Sequence, residues 1–157
     1  MSTLTKMLTE FEFPRTPRKN VLRPGQKDYE GFVLGKVNAR QFGQVISNKT
    51  KLPKYKNLFL ESKKLMKRIN PNFKFTSIQY NKNQRAAKHK DANNIGPSYI
   101  IGLGNYTGGE IIVYDENGNN PKKINIKNKA FKFNGSKLYH ETAPFKGQRF
   151  TLVFYHI

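Results

Sequence analysis

A chain of 157 residues with 29 basic side chains, 10 acidic ones, a net charge of +19 and no cysteine excludes a disulfide framework and a thiolate metal site. The length suits a single domain over residues 1–157, large enough to bury about 70% of its unfolded surface. No stretch approaches the ~20 apolar residues of a membrane span, and the N-terminus lacks a signal-peptide core, so a soluble intracellular protein of cytoplasm or nucleus is expected, neither secreted nor membrane-bound.

Ser2 is placed to cap a short helix in which Leu4, Met7, Leu8 and Phe11 recur at helical spacing, a face that docks on a core. From Phe13 to Asp28, Pro14, Pro17, Pro24 and Gly25 stand among Arg15, Arg18, Lys19 and Arg23. That pattern predicts an extended basic arm, crossing the surface or tracking phosphates. Gly31 to Val37 predicts a strand, and Arg40 to Ser47 a short helix or turn. Past Pro53, Leu58, Phe59, Ser62, Leu65, Met66 and Ile69 form the packing face of a helix that Asn70-Pro71 ends; Lys63, Lys64, Lys67 and Arg68 form its solvated face.

From Phe73 onward the chain reads as strands: Phe73–Tyr80, Ser98–Leu103, Glu110–Tyr114, Ala130–Phe133, Leu138–Thr142 and Arg149–His156, punctuated by Gly, Asn and Pro. Asp115 to Asn120 predicts a hairpin connection, because its acids lack the complete ligand spacing of a calcium loop. Helices followed by short strands predict an α+β fold, largely antiparallel, with two facing sheets and N-terminal helices buttressing one.

Three histidines are present, and His89 stands two residues before Asp91. On a β-strand, residues two apart point the same way, so His89-Lys90-Asp91, read as strand, delivers an imidazole and a carboxylate to one side. A second imidazole from a distant strand would complete two histidines and one carboxylate on one face of an Fe(II), leaving three positions open. His140, 51 residues on, is the candidate. Arg149 follows nine residues later, and alternation sets Arg149 and Thr151 on one side, where a guanidinium fork and a hydroxyl suit a carboxylate.

With these residues the chain resembles the Fe(II)/2-oxoglutarate-dependent dioxygenases, whose signature is His-x-Asp, a distal His and a basic residue nine or ten positions beyond it. The resemblance runs from about Phe73 to Ile157. It implies a double-stranded β-helix, or jelly roll, with iron held by His89, Asp91 and His140. It implies 2-oxoglutarate held by Arg149, Thr151 and Tyr80, which sits nine residues before His89, and O2 as the oxidant. The run from Asn94 through Gly96, Ser98, Gly102 and Gly104 to Tyr106-Thr107-Gly108-Gly109-Glu110 resembles viral, fungal and algal relatives of the TET and JBP enzymes, which oxidise methyl groups on DNA bases.

The charge exceeds what one dianion needs and predicts a polyanionic partner. With the TET/JBP resemblance this makes nucleic acid, DNA favoured, the expected partner; no obligate protein partner is evident. Asn81, Asn83, Gln84, Arg85, Asn94 and Tyr106 are the candidate substrate contacts, since amide side chains read base edges and an enzyme acting on a duplex base must extract it into a pocket. Tyr139 is a second stacking candidate. Hydroxylation of a base or its methyl group leads; a prolyl-type protein hydroxylase and a non-catalytic basic binding module are the alternatives.

Overall fold

The computed structural model describes residues 2–157. Helix α1 (Thr3–Glu10) starts at Ser2, whose Oγ accepts the Thr5 N–H at 3.1 Å, and buries Leu4 and Leu8. Helix α2 (Pro53–Ile69) opens on Pro53, whose missing N–H is harmless in a first turn, and buries Tyr55, Leu58, Ser62 and Met66. Its lysine face is exposed. No helix among the described residues is long and apolar enough to cross a membrane.

The described residues form ten strands, in chain order β1 (Arg15–Thr16), β2 (Tyr29–Ala39), β3 (Gly43–Ile46), β4 (Ser77–Lys82), β5 (Ser98–Gly108), β6 (Ile111–Val113), β7 (Lys122–Ile124), β8 (Phe131–Phe133), β9 (His140–Thr142) and β10 (Phe145–Tyr155). They form a seven-stranded sheet, ordered β1-β2-β4-β10-β5-β8 with β3 on β2, and a three-stranded sheet, β7-β6-β9. Every pairing of strands is antiparallel. The expected α+β, helix-buttressed, antiparallel architecture is therefore present.

β10 positions the rest, because it pairs β4 from Phe150↔Lys82 to Tyr155↔Ser77 and β5 from Phe145↔Gly108 to Phe154↔Tyr99. Alternation sends Phe150, Leu152 and Phe154 into the core beneath the helices, with Phe32, Leu34, Ile78 and Leu58. Full burial of each such side chain contributes about 1.5–3 kcal/mol. The opposite face of β10, carrying Arg149, Thr151, Val153 and Tyr155, lines a cavity of about 290 Å³ whose far wall includes Ile111, His140 and Thr142 of the small sheet. A second apolar cluster of Ile100, Ile111, Val113, Ile126 and Phe133 closes that side.

Three expectations are corrected. For residues 40–47 the turn alternative holds only at 40–42 and no helix forms: Gly43–Ile46 is strand β3, paired to Lys36–Ala39, and because it is largely exposed on both faces it carries no apolar period to read. The strand expected from Phe73 begins at Ser77, since Phe73 and Phe75 instead turn edge-on against Tyr99 and Phe154. His89-Lys90-Asp91 is not in a strand either; His89 makes an isolated antiparallel bridge with His140.

Candidate metal centre and its cavity

That bridge brings the two imidazoles together. His89 N–H donates to His140 O at 3.0 Å and His140 N–H to His89 O at 2.9 Å, and the ring centroids lie 4.3 Å apart. Asp91 is set by its own N–H, which donates to Gly135 O at 2.9 Å. One ligand atom from each of His89, Asp91 and His140 falls within 4.8 Å of the others. All three side chains are largely buried, at 10%, 13% and 7% exposure respectively.

The ring nitrogens are already assigned roles by the backbone. His89 Nδ1 lies 2.6 Å from Ala87 O and His140 Nδ1 lies 2.9 Å from Leu138 O. A carbonyl only accepts, so each Nδ1 carries the proton and a neutral ring presents the Nε2 lone pair inward. Those Nε2 atoms stand 3.5 Å from Asp91 Oδ1 and 3.2 Å from Asp91 Oδ2. Two lone pairs facing a carboxylate repel unless a cation sits among them, so this donor set fits a divalent metal with nitrogen and oxygen preferences. Burial by itself would raise the Asp91 carboxyl; positive charge placed among the three groups, on the rings of His140 and His89 or on a cation in their stead, overrides it and holds the group well below the usual carboxylate range.

Arg149 lines the cavity at 2% exposure. Its Nη2 and Nε donate to Gly109 O at 2.9 and 3.2 Å and its Nη1 to Gln84 O at 3.4 Å. It has no carboxylate partner among the described residues. Burial pulls the guanidinium's pKa down from its ordinary value, and leaving such a charge unpaired is costly. A bound carboxylate would relieve that cost. Thr151 faces the same space, its Oγ1 accepting from Asn81 Nδ2 at 3.0 Å.

The expected ligands Tyr80, Asn83, Arg85 and Tyr106 are placed elsewhere. Tyr80 is fully buried on the helix side, stacked on Phe32 at 4.8 Å and donating to Ser62 Oγ at 2.6 Å. It belongs to the helix-side core, because Gln79 and Asn81 on either side of it are the residues that face the cavity. Asn83, with φ +51, closes the end of β4: its Oδ1 accepts the Arg149 N–H at 2.8 Å. Tyr106 is 2% exposed, with its ring 5.6 Å from the Arg149 guanidinium carbon, so it supports that group and offers no open stacking face. Arg85 does not line the cavity, and its Nε is buried without a hydrogen-bond partner.

Asn81, Gln84 and Asn94 do line the cavity. Tyr139 lies outside it, with Lys90 Nζ 4.4 Å from its ring centroid. Gln79, Tyr29 and Arg18 are cavity residues the motif reading passed over. No local signal marks them: Arg18 stands 73 residues from Asp91, and only the tertiary fold joins the two.

No protein-family model and no curated protein matches this sequence. Solved structures do. One is an oxidoreductase of the 2OG-Fe(II) oxygenase family from Burkholderia pseudomallei (TM-score 0.64, 16% identity, 96% of this chain and 75% of that one). A second is NgTET1 in complex with 5mC DNA (TM-score 0.59, 18% identity, 80% of this chain and 60% of that one). A third is a prolyl-4-hydroxylase from Pseudomonas putida (TM-score 0.55, 12% identity, 98% of this chain and 81% of that one). The chain shares their fold.

Proposed function

We propose that the chain is an Fe(II)- and 2-oxoglutarate-dependent dioxygenase, a single domain over residues 1–157 built on a double-stranded β-helix. Its substrate in this reading is a C–H bond of a nucleic-acid base or of a base methyl group. The observation that carries the reading is the convergence of His89 Nε2, His140 Nε2 and the Asp91 carboxylate inside a cavity that also holds a buried, carboxylate-free Arg149. When bound, iron and the keto acid supply the oxidation: one O2 is consumed, 2-oxoglutarate leaves as succinate and CO2, and the second oxygen atom enters the C–H bond.

The chain's own residues do the placing. His89, Asp91 and His140 would hold the metal, with their orientation fixed by Ala87 O, Leu138 O and the Asp91 N–H bond to Gly135. Arg149 and Thr151 would take the far carboxylate of the cosubstrate. The charges then balance in a low-dielectric site: the ferrous ion offsets the keto-acid dianion and Arg149 offsets Asp91. The apolar wall of Val33, Ile100, Ile111, Phe133 and Val153 keeps water from the reacting atoms.

The net charge of +19 supports a nucleic-acid substrate, and so does the shared fold with NgTET1, solved with 5mC DNA. Asn81, Gln84 and Asn94 are the amides within reach of a base held in the cavity. The shared fold with a prolyl-4-hydroxylase favours a second reading, a peptide substrate. Incubation with Fe(II), 2-oxoglutarate and DNA, RNA or peptide, followed by mass spectrometry of nucleosides and peptides, separates the two. One added oxygen on a nucleoside, with succinate and lost in Asp91→Ala, is the expected result. Oxygen on peptide alone favours the second reading, and no succinate with any of them removes the enzyme.

A further inference from the structure

The basic arm between α1 and β2 reaches the cavity through Arg18 and Val21. Arg18 donates through Nη2 to Asp91 Oδ1 at 3.0 Å and through Nη1 to Gln79 Oε1 at 3.4 Å. Around it the arm is fastened to the loop that supplies His89 and Asp91: Ala87 N–H donates to Val21 O at 3.0 Å, Gln84 Nε2 to the same carbonyl at 3.1 Å, and Gln26 Nε2 to Gln84 Oε1 at 2.9 Å. The arm's two ends are tied to each other by Arg15 and Asp28 at 2.8 Å. These contacts dock the arm as one piece against residues 84–91.

The Asp91 carboxylate is divided among three neighbours. Oδ2 faces His140 Nε2 at 3.2 Å, while Oδ1 is taken by Arg18 at 3.0 Å and lies 3.5 Å from His89 Nε2. The Asp91 N–H bond to Gly135 O holds its backbone but leaves its side-chain torsions unset. A planar guanidinium anchored on both Asp91 and Gln79 does fix them.

We infer that Arg18 is a positioning residue for the metal site. By holding Oδ1 it fixes the plane of the carboxylate and leaves Oδ2, beside His140 Nε2, as the oxygen without a guanidinium partner, and it makes arm docking and metal uptake one coupled event. The inference rests on the metal reading above. The guanidinium also repels a divalent cation, but at 39% side-chain exposure its charge is screened by water, and the orientation it imposes outweighs that repulsion. By linkage, a metal that binds better to the docked arm must in turn hold the arm down.

The test uses the full chain and Co(II) alone, followed by its visible absorption, with hydrogen exchange of residues 15–26 measured in parallel. Removal of a group that orients a ligand costs about 10–100-fold in metal affinity. Arg18→Ala is therefore expected to bind Co(II) at least about 10-fold more weakly than wild type. Arg18→Lys, which keeps the charge but not the fork, is expected to recover part of the loss. Co(II) should slow exchange across the arm in wild type and not in Arg18→Ala. Circular dichroism of the metal-free variants checks that each is folded. Wild-type or tighter Co(II) affinity in a folded Arg18→Ala overturns the inference. A wild-type chain that takes up no Co(II) overturns the metal reading itself, so the two failures are distinct.

Discussion

Tyr80 and Thr151 stand on neighbouring strands and face opposite sides of one sheet. A spacing of nine residues from His89 cannot say which side, since a shift of one residue in a strand exchanges its faces. Tyr80→Phe should therefore leave the KM for 2-oxoglutarate unchanged and lower stability by about 0.5–1.5 kcal/mol through the lost bond to Ser62, measured by urea unfolding at neutral pH. Burial raises the Tyr80 phenol pKa well above its ordinary value. The unfolded chain ionises this group near pH 10 while the folded chain does not, so its contribution is complete below about pH 10 and fades as pH rises beyond it. Tyr80→Phe should flatten that alkaline loss. The place of Arg149 in the cavity was legible as a fork nine residues past a histidine, followed by Thr151. Arg149→Lys removes the fork and with it a charge-assisted hydrogen bond worth about 1.5–3 kcal/mol. The KM for 2-oxoglutarate should rise about 10-fold or more in steady-state assays; an unchanged KM would contradict the assignment.

The β2–β3 hairpin shows where local sequence stops being informative. β2 leaves β4 at Gly35, whose φ is +94 and where a Cβ would stand 2.3 Å from Thr76 O, so only glycine fits the crossing. Beyond it Lys36, Val37 and Asn38 line the cavity, and the turn presents Phe42 at 77% exposure. In the nucleic-acid reading, an exposed aromatic on the hairpin that carries Lys36, Val37 and Asn38 suits stacking on a base, worth about 1–3 kcal/mol per base. Phe42→Ala should weaken binding of a labelled oligonucleotide by about that amount in fluorescence anisotropy, with Co(II) affinity unchanged. Equal oligonucleotide affinity would leave the hairpin without that role. The 115–120 turn, by contrast, was legible in full. Asp115 Oδ1 accepts the N–H groups of Asn117 and Asn119, and Oδ2 accepts from Asn120 Nδ2. These bonds, that from Asn119 foremost, hold its pKa below the usual range and use the carboxylate within the turn. Helix α2 and the strand-rich C-terminal half were legible for a like reason: each writes its burial as an apolar period.

At the scale of the whole molecule, class and charge could be read from the sequence, whereas the packing of the arm against the metal loop could not, because it depends on contacts between residues far apart in the chain. The charge itself makes a prediction. Each phosphate neutralised steepens the fall of log K with log salt by about 0.9 on duplex DNA, so DNA affinity measured across a salt series should drop steeply and linearly, while a flat series would leave the +19 without a nucleic-acid partner. The central claim is narrower, that His89, Asp91 and His140 bind one metal ion. Its most direct measurement is anomalous diffraction from a crystal grown with Mn(II) and 2-oxoglutarate. The account predicts a single strong peak within bonding distance of both Nε2 atoms and one Asp91 oxygen, with the cosubstrate's far carboxylate on Arg149. A peak elsewhere, or none at these three side chains, would contradict it.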